Sequence, residues 1–156
     1  MGMDVYGLKP KNSDGEYFRA NVWYWHPLWG CLEHLYPNLT SKVEHAHENS
    51  GDGLNAKDSL TLSKLLKKDL DNNVIEQYIT EYYSYINNLE KKDCTYCEGT
   101  GIRIWHQELA DPISKTCNVC NGTLQVAPSQ SWYHMDLNLM KQFQVFLENC
   151  GGFQIC

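Results

Sequence analysis

The chain has 156 residues, 42% hydrophobic and 21% charged, and its thirteen basic against nineteen acidic side chains give a formal charge of −6. Such a composition excludes a disordered chain and predicts one globular domain with at most a small insert. The acidic balance argues against nonspecific binding to nucleic acid or to an anionic membrane, because both need a positive surface.

No apolar run approaches the roughly 18 residues of a spanning helix, so no membrane segment is predicted. The apolar stretch of a signal peptide is also missing, which makes a cytoplasmic location the expectation.

In chain order, residues 3–6 alternate and predict an edge strand. Residues 9–15 form a polar loop with Pro10 and Asp14-Gly15. Residues 17–25 are aromatic and β-prone. A helix is expected to begin at His26-Pro27, since proline is tolerated in the first helical position. Trp29, Leu32, Leu35 and Tyr36 continue it at helical spacing, and Pro37 ends it. Residues 41–54 are polar, with the turn Gly51-Asp52-Gly53. Asn55 caps a helix starting at Ala56, with Asp58 in the capping-box position and the stripe Leu62, Leu65, Leu66 and Leu70.

A second long helix is expected over 72–91. Its stripe is Val74, Ile75, Tyr78, Ile79, Tyr82, Ile86 and Leu89, a good fit to a 3.6-residue period. Tyr83 and Tyr85 fall partly off that stripe and are candidates for a partner surface. Residues 93–128 then change character, holding two cysteine pairs and two β-prone runs, 102–107 and 123–127. The last helix spans 136–149, with Leu139, Met140, Phe143 and Phe146 on one face. Gly151-Gly152 stops it, and residues 153–156 add a strand. The fold expected is α+β: a mostly helical core with short terminal strands, residues 1–92 plus 129–156, carrying a four-cysteine zinc-ribbon insertion at 93–128.

Seven cysteines are present. Four form the pairs Cys94/Cys97 and Cys117/Cys120; the others are Cys31, Cys150 and Cys156. An odd total is a poor disulfide framework, and paired C-x-x-C spacing without a secretion signal reads as a metal site. Two residues between cysteines let one tight turn present two sulfurs to one ion. Zinc in structural sites takes four ligands in a tetrahedron, and four thiolates leave no position for water. One structural zinc on Cys94, Cys97, Cys117 and Cys120 is the expectation.

The knuckles Cys94-Thr95-Tyr96-Cys97-Glu98-Gly99-Thr100-Gly101 and Cys117-Asn118-Val119-Cys120-Asn121-Gly122-Thr123-Leu124 resemble the C-x-x-C-x-G-x-G repeats of DnaJ-type zinc domains. Leu124 stands where the last glycine belongs. Those chaperones carry four repeats and two zincs; two repeats here imply one zinc. The J-domain tripeptide His-Pro-Asp is missing, because Leu28 follows His26-Pro27, so only the ribbon geometry carries over.

A second candidate site is the aromatic and histidine segment. Arg19, Asn21, Trp23, Trp25 and His26, with His45 and His47 further on, can line a binding surface: flat rings for stacking, a guanidinium for an anion, imidazoles for orientation or proton transfer. On a strand, Trp23 and Trp25 would share one face. The same tryptophans serve equally as core.

Outside the ribbon the chain resembles a family of small uncharacterised bacterial and phage proteins. The resembling pieces are Met1-Gly2-Met3-Asp4-Val5-Tyr6-Gly7, Gly15-Glu16-Tyr17-Phe18-Arg19 through Trp29, Asn49 with Gly51-Asp52-Gly53-Leu54, and Cys150-Gly151-Gly152-Phe153-Gln154-Ile155-Cys156. His26 stands where such relatives tend to carry Arg. The resemblance implies that both ends form one α+β unit with the ribbon as an arm between helices.

The function expected is a zinc-stabilised, non-enzymatic binding or regulatory protein with a protein partner, in the manner of a phage-encoded inhibitor of a host defence machine. One alternative is a small-molecule, nucleotide-binding or hydrolytic pocket built from Arg19, Trp23, Trp25, His26, His45 and His47. Another is nucleic-acid binding through the ribbon. Charge disfavours the latter: residues 93–128 hold only Arg103 and Lys115 as cations against Asp93, Glu98, Glu108 and Asp111.

Overall fold

In the computed structural model, which describes residues 2–105 and 113–156, the chain is α+β. The elements are β1 (Gly2–Gly7), β2 (Tyr17–Asn21), α1 (Val22–Leu35), α2 (Pro37–Thr40), α3 (Ala56–Asp71), α4 (Val74–Asn87), β3 (Lys92–Asp93), β4 (Ile102–Trp105), β5 (Ile113–Thr116), β6 (Gln125–Val126), α5 (Leu137–Asn149) and β7 (Phe153–Ile155). They divide into two compact units. The first runs up to Ser84 and resumes at Tyr133; the second is Tyr85–Trp132.

The first unit is built on an antiparallel sheet in the order β2-β1-β7. β1 is therefore the central strand, not an edge. Val5 pairs with Phe18 on one side and with Ile155 on the other. Sequence alternation cannot reveal this, because the second partner comes from the far end of the chain. Beyond β7, residues 51–55 add two isolated bridges, Asp52 to Ile155 and Asn55 to Gly152. Gly53 is needed there: a Cβ at this position would sit 1.9 Å from the Phe153 carbonyl oxygen.

The aromatic segment departs from expectation. β2 stops at Asn21, whose side chain accepts the Trp23 N–H at 3.0 Å and caps α1. Trp23 and Trp25 thus lie on the first turns of a helix rather than on one strand face. Trp25 is fully buried, whereas Trp23 stays 38% exposed. Pro27 is inside the helix, not at its start. An interior proline strips the carbonyl four residues back of its donor. Here that carbonyl belongs to Trp23, and the His134 N–H takes it at 2.8 Å.

The core of this unit joins Trp25, Trp29, Phe18, Phe143, Phe146 and Phe153 to aliphatic side chains from β1, α1, α3 and α5. Trp25 and Trp29 stack at 5.6 Å, and the Trp25 Nε1–H donates to the Ala46 carbonyl at 2.7 Å. α3 meets α5 through Leu62 and Leu66 and through Ser63, which donates to the Gln144 carbonyl at 3.2 Å and accepts from Gln144 Nε2 at 3.0 Å. The expected cap is present: Asn55 Oδ1 accepts the Asp58 N–H at 2.9 Å.

α4 is shorter than its apolar stripe. Asn73, at φ 60°, separates it from α3, and Leu89 lies beyond its end. Ile75 is fully buried and Tyr78, Ile79 and Tyr82 pack on the core. Tyr83 also turns inward, donating to the Met135 carbonyl at 2.9 Å, so the expectation of a partner-facing Tyr83 fails; Tyr85 is 62% exposed. α5 starts at its Asp136 cap and ends at Gly151 and Gly152, at φ 62° and 93°, as expected.

The second unit has two small ribbons. β3 pairs with β6, and β4 pairs with β5 from Ile102↔Thr116 to Trp105↔Ile113. Gln107, Glu108 and Asp111, used in the sequence reading, lie outside the described residues. Among the described residues no helix is long and apolar enough to cross a membrane.

Candidate metal centre

The two knuckles fold as copies of each other. Glu98 and Asn121, one residue after each second cysteine, both have φ 50°. Gly99 and Gly122 follow at 77° and 78°, then Gly101 and Leu124 at 72° and 70°. Leu124 thus keeps the backbone turn of the glycine it replaces, at the roughly 1–2 kcal/mol that a side chain costs in the left-handed region. The threonines repeat as well: Thr100 and Thr123 each donate Oγ1–H to the carbonyl of the preceding knuckle cysteine, Cys97 or Cys120, at 2.6 Å. The copies also exchange a reciprocal pair of bonds. The Cys94 N–H donates to the Leu124 carbonyl, and the Cys117 N–H donates to the Gly101 carbonyl, both at 2.8 Å.

This exchange brings four sulfurs to one point. All four Sγ atoms lie within 4.8 Å of one another. Cys94 to Cys117 is 3.9 Å and Cys97 to Cys120 is 3.7 Å. These distances are far too long for disulfides. A regular tetrahedron with metal–sulfur bonds of about 2.3 Å has sulfurs about 3.8 Å apart, which the two distances bracket. The cysteines are buried, none more than 5% exposed. The cluster can hold a metal ion.

Local dipoles already favour thiolates at part of the site. The Cys120 N–H brings the Cys117 thiol down to about 7. Burial pushes Cys97 up, but the Gly101 N–H, 3.3 Å from its sulfur, and neighbouring donors outweigh it and hold it below the usual thiol value. Burial pushes Cys94 up to about 11. A cation at their centre would favour the thiolate form of the cysteines. Arg103 is engaged within its own unit, lying 4.6 Å over the Trp105 ring and donating to Asn118 Oδ1 at 2.9 Å.

The second set of candidate residues is dispersed. Trp25 is core. Trp23 packs on Tyr133 with ring centres 5.1 Å apart. Arg19 pairs with Asp4 at 3.4 Å and, with Asn21, lines a surface cleft of about 340 Å³ beside Tyr24, Asp136 and Gln142. His26 and His47 do meet, Nδ1 to Nδ1 at 2.7 Å, and His47 Nε2 lies 3.5 Å from Glu33. Burial, and then His47, hold His26 below the ordinary histidine value. His45 is directed elsewhere: its Nδ1 is 3.5 Å from Glu48, and its N–H donates to Asp52.

Glu33, and Tyr133 with its ring centre 5.8 Å from that of His26, escaped the sequence reading, because nothing local links them to the histidines. No family model, curated protein or solved structure matches the chain.

Proposed function

We propose that the protein is a non-enzymatic binding protein whose four-cysteine cluster holds one structural zinc ion. The observation that carries the metal reading is the convergence of four buried sulfurs within 4.8 Å of one another, with 3.7 and 3.9 Å across the two knuckles. A closed set of four thiolates leaves zinc no site for water or substrate, so its role is to fold the surrounding loops. Zinc is favoured because thiolate ligands in this geometry suit a soft, redox-inert ion.

A binding rather than catalytic role is supported by where the candidate pocket residues go. Trp25 serves the core, Arg19 and Asn21 a surface cleft, and the histidines pair with each other or with single carboxylates. A protein partner is our reading, and the resemblance to phage proteins puts a host defence machine first among partner classes.

Metal analysis of protein purified without added zinc, with native mass on the same sample, tests the reading. One zinc per chain is expected. No metal and four free thiols would overturn it, and a second metal per chain would move the histidine pair to the centre of an enzymatic reading.

A further inference from the structure

The sheet of the first unit has two edges, and the fold treats them differently. The β7 edge is closed. The Gly51 N–H donates to the Ile155 carbonyl, the Ile155 N–H to Asp52, and the Phe153 N–H to Leu54. The β2 edge is open. The Gly7 N–H donates to the Glu16 carbonyl, and the register places Val5 opposite Phe18 and Met3 opposite Ala20. Hydrogen-bonded pairs alternate along an antiparallel ladder. Phe18 and Ala20 therefore spend their backbone groups on β1. The N–H and C=O of Tyr17 and Arg19, and the N–H of Asn21, point away from it. Among the described residues no other group pairs with them.

A groove runs beside this edge. Two adjoining clefts, of about 340 and 320 Å³, share Gln142 and together follow every residue of β2. Their opposite wall is α5, which presents Asn138, Leu139, Gln142, Val145 and Phe146; Val145 is 39% exposed.

We propose that this groove binds an extended peptide segment of a partner protein, added to β2 as a fourth strand. The proposal names the surface for the protein-binding reading above and does not depend on the metal. Outward N–H and C=O groups repeating every second residue match the backbone of another strand, while a helix has already spent its own. Alternate side chains of the added strand face the α5 wall, so the segment carries apolar residues at every second position opposite Leu139 and Val145. Charge adds little, since Arg19 is already paired with Asp4. A second copy fits less well. Its β2 could pair along the edge, but its Phe18 and Ala20 are committed to its own core and cannot fill the groove.

The test begins with a displayed library of random nonapeptides selected against the full chain. Selected peptides should slow exchange of the Tyr17 and Arg19 amides at least tenfold. Arg19→Pro removes an outward N–H where an edge strand tolerates proline, and it should weaken binding at least tenfold. Arg19→Ala keeps the edge and should stay within threefold of the parent. Gln142→Trp fills the groove from an exposed position on α5 while leaving every residue of β2 unchanged, and should also cost at least tenfold.

A proline variant that binds as well as the alanine variant would overturn the proposal. So would a selection yielding no peptide that slows those amides. A dimer that Arg19→Pro dissociates would assign the edge to a second copy and overturn the peptide. Peptides that bind yet leave the β2 amides unprotected would remove the groove while sparing the protein-binding reading.

Discussion

Removing the metal should unfold the second unit and spare the first. Among the described residues, the four cysteines form the buried cluster of Tyr85–Trp132, with Val126 packed against it. Burying one valine contributes about 1.5–3 kcal/mol at most. A structural zinc in finger peptides contributes about 10–16 kcal/mol near neutral pH. The ion thus outweighs the unit's apolar core several-fold, and its loss cannot be made up locally. The first unit keeps a core of two stacked tryptophans and four phenylalanines.

Amide exchange before and after a strong chelator reads both units at once. The Cys94 and Cys117 amides, each bonded at 2.8 Å across the knuckles, should lose protection, and trypsin should begin to cut at Lys92, Arg103 and Lys115. Amides of α5 and β1 should keep their protection. The reasoning is refuted if the knuckle amides stay protected once metal analysis shows the ion gone. It is equally refuted if the α5 amides collapse at the same chelator concentration.

Four further outcomes are expected. Gly53→Ala should destabilise the first unit by more than about 3 kcal/mol, because its Cβ would meet a backbone carbonyl at 1.9 Å. Gly30→Ala, inside α1 with nothing within 4 Å, should stabilise by about 0.5–1 kcal/mol; urea midpoints measure both. Tyr36→Phe removes the 2.7 Å bond from the phenol to Asp69 Oδ2 and should cost about 1–2 kcal/mol in the same assay. His26 is held below its ordinary value, so the folded state binds fewer protons than the unfolded one. Its contribution is whole above the unfolded value of about 6.5 and is lost as pH falls from there through the lower folded value. The parent should therefore lose stability on acidification relative to His26→Gln, and parallel pH profiles would refute this.

The knuckles were legible because their chemistry is local: spacing places the sulfurs, and each turn needs only its own glycine. Asn55 was legible as a cap for the same reason. Leu124 looked like a lapse in the repeat, yet its backbone holds the glycine turn at φ 70°. The aromatic segment misled because Pro27 is a good helix start, and the rescue of the Trp23 carbonyl by His134 comes from more than a hundred residues away. β1 misled because its second neighbour is the end of the chain. The groove along β2 was invisible because neither wall is unusual alone; it exists only where α5 passes an edge that β1 leaves unpaired.

The interleaving of the two ends has a consequence for synthesis. The central strand is made among the first residues, but its β7 neighbour and the α5 wall of the core come from the last twenty or so. The first unit therefore cannot close until α5 and β7 have been made, and β1 pairs with β7 across more than a hundred residues, a slow route to the native state. The metal unit is contiguous and finishes earlier. If the proposed ion binds, its capture can thus precede the folding of the larger unit, leaving β1 and β2 as a nascent hairpin without β7 meanwhile. A cell short of the metal would meet this chain's folding defect first in its middle.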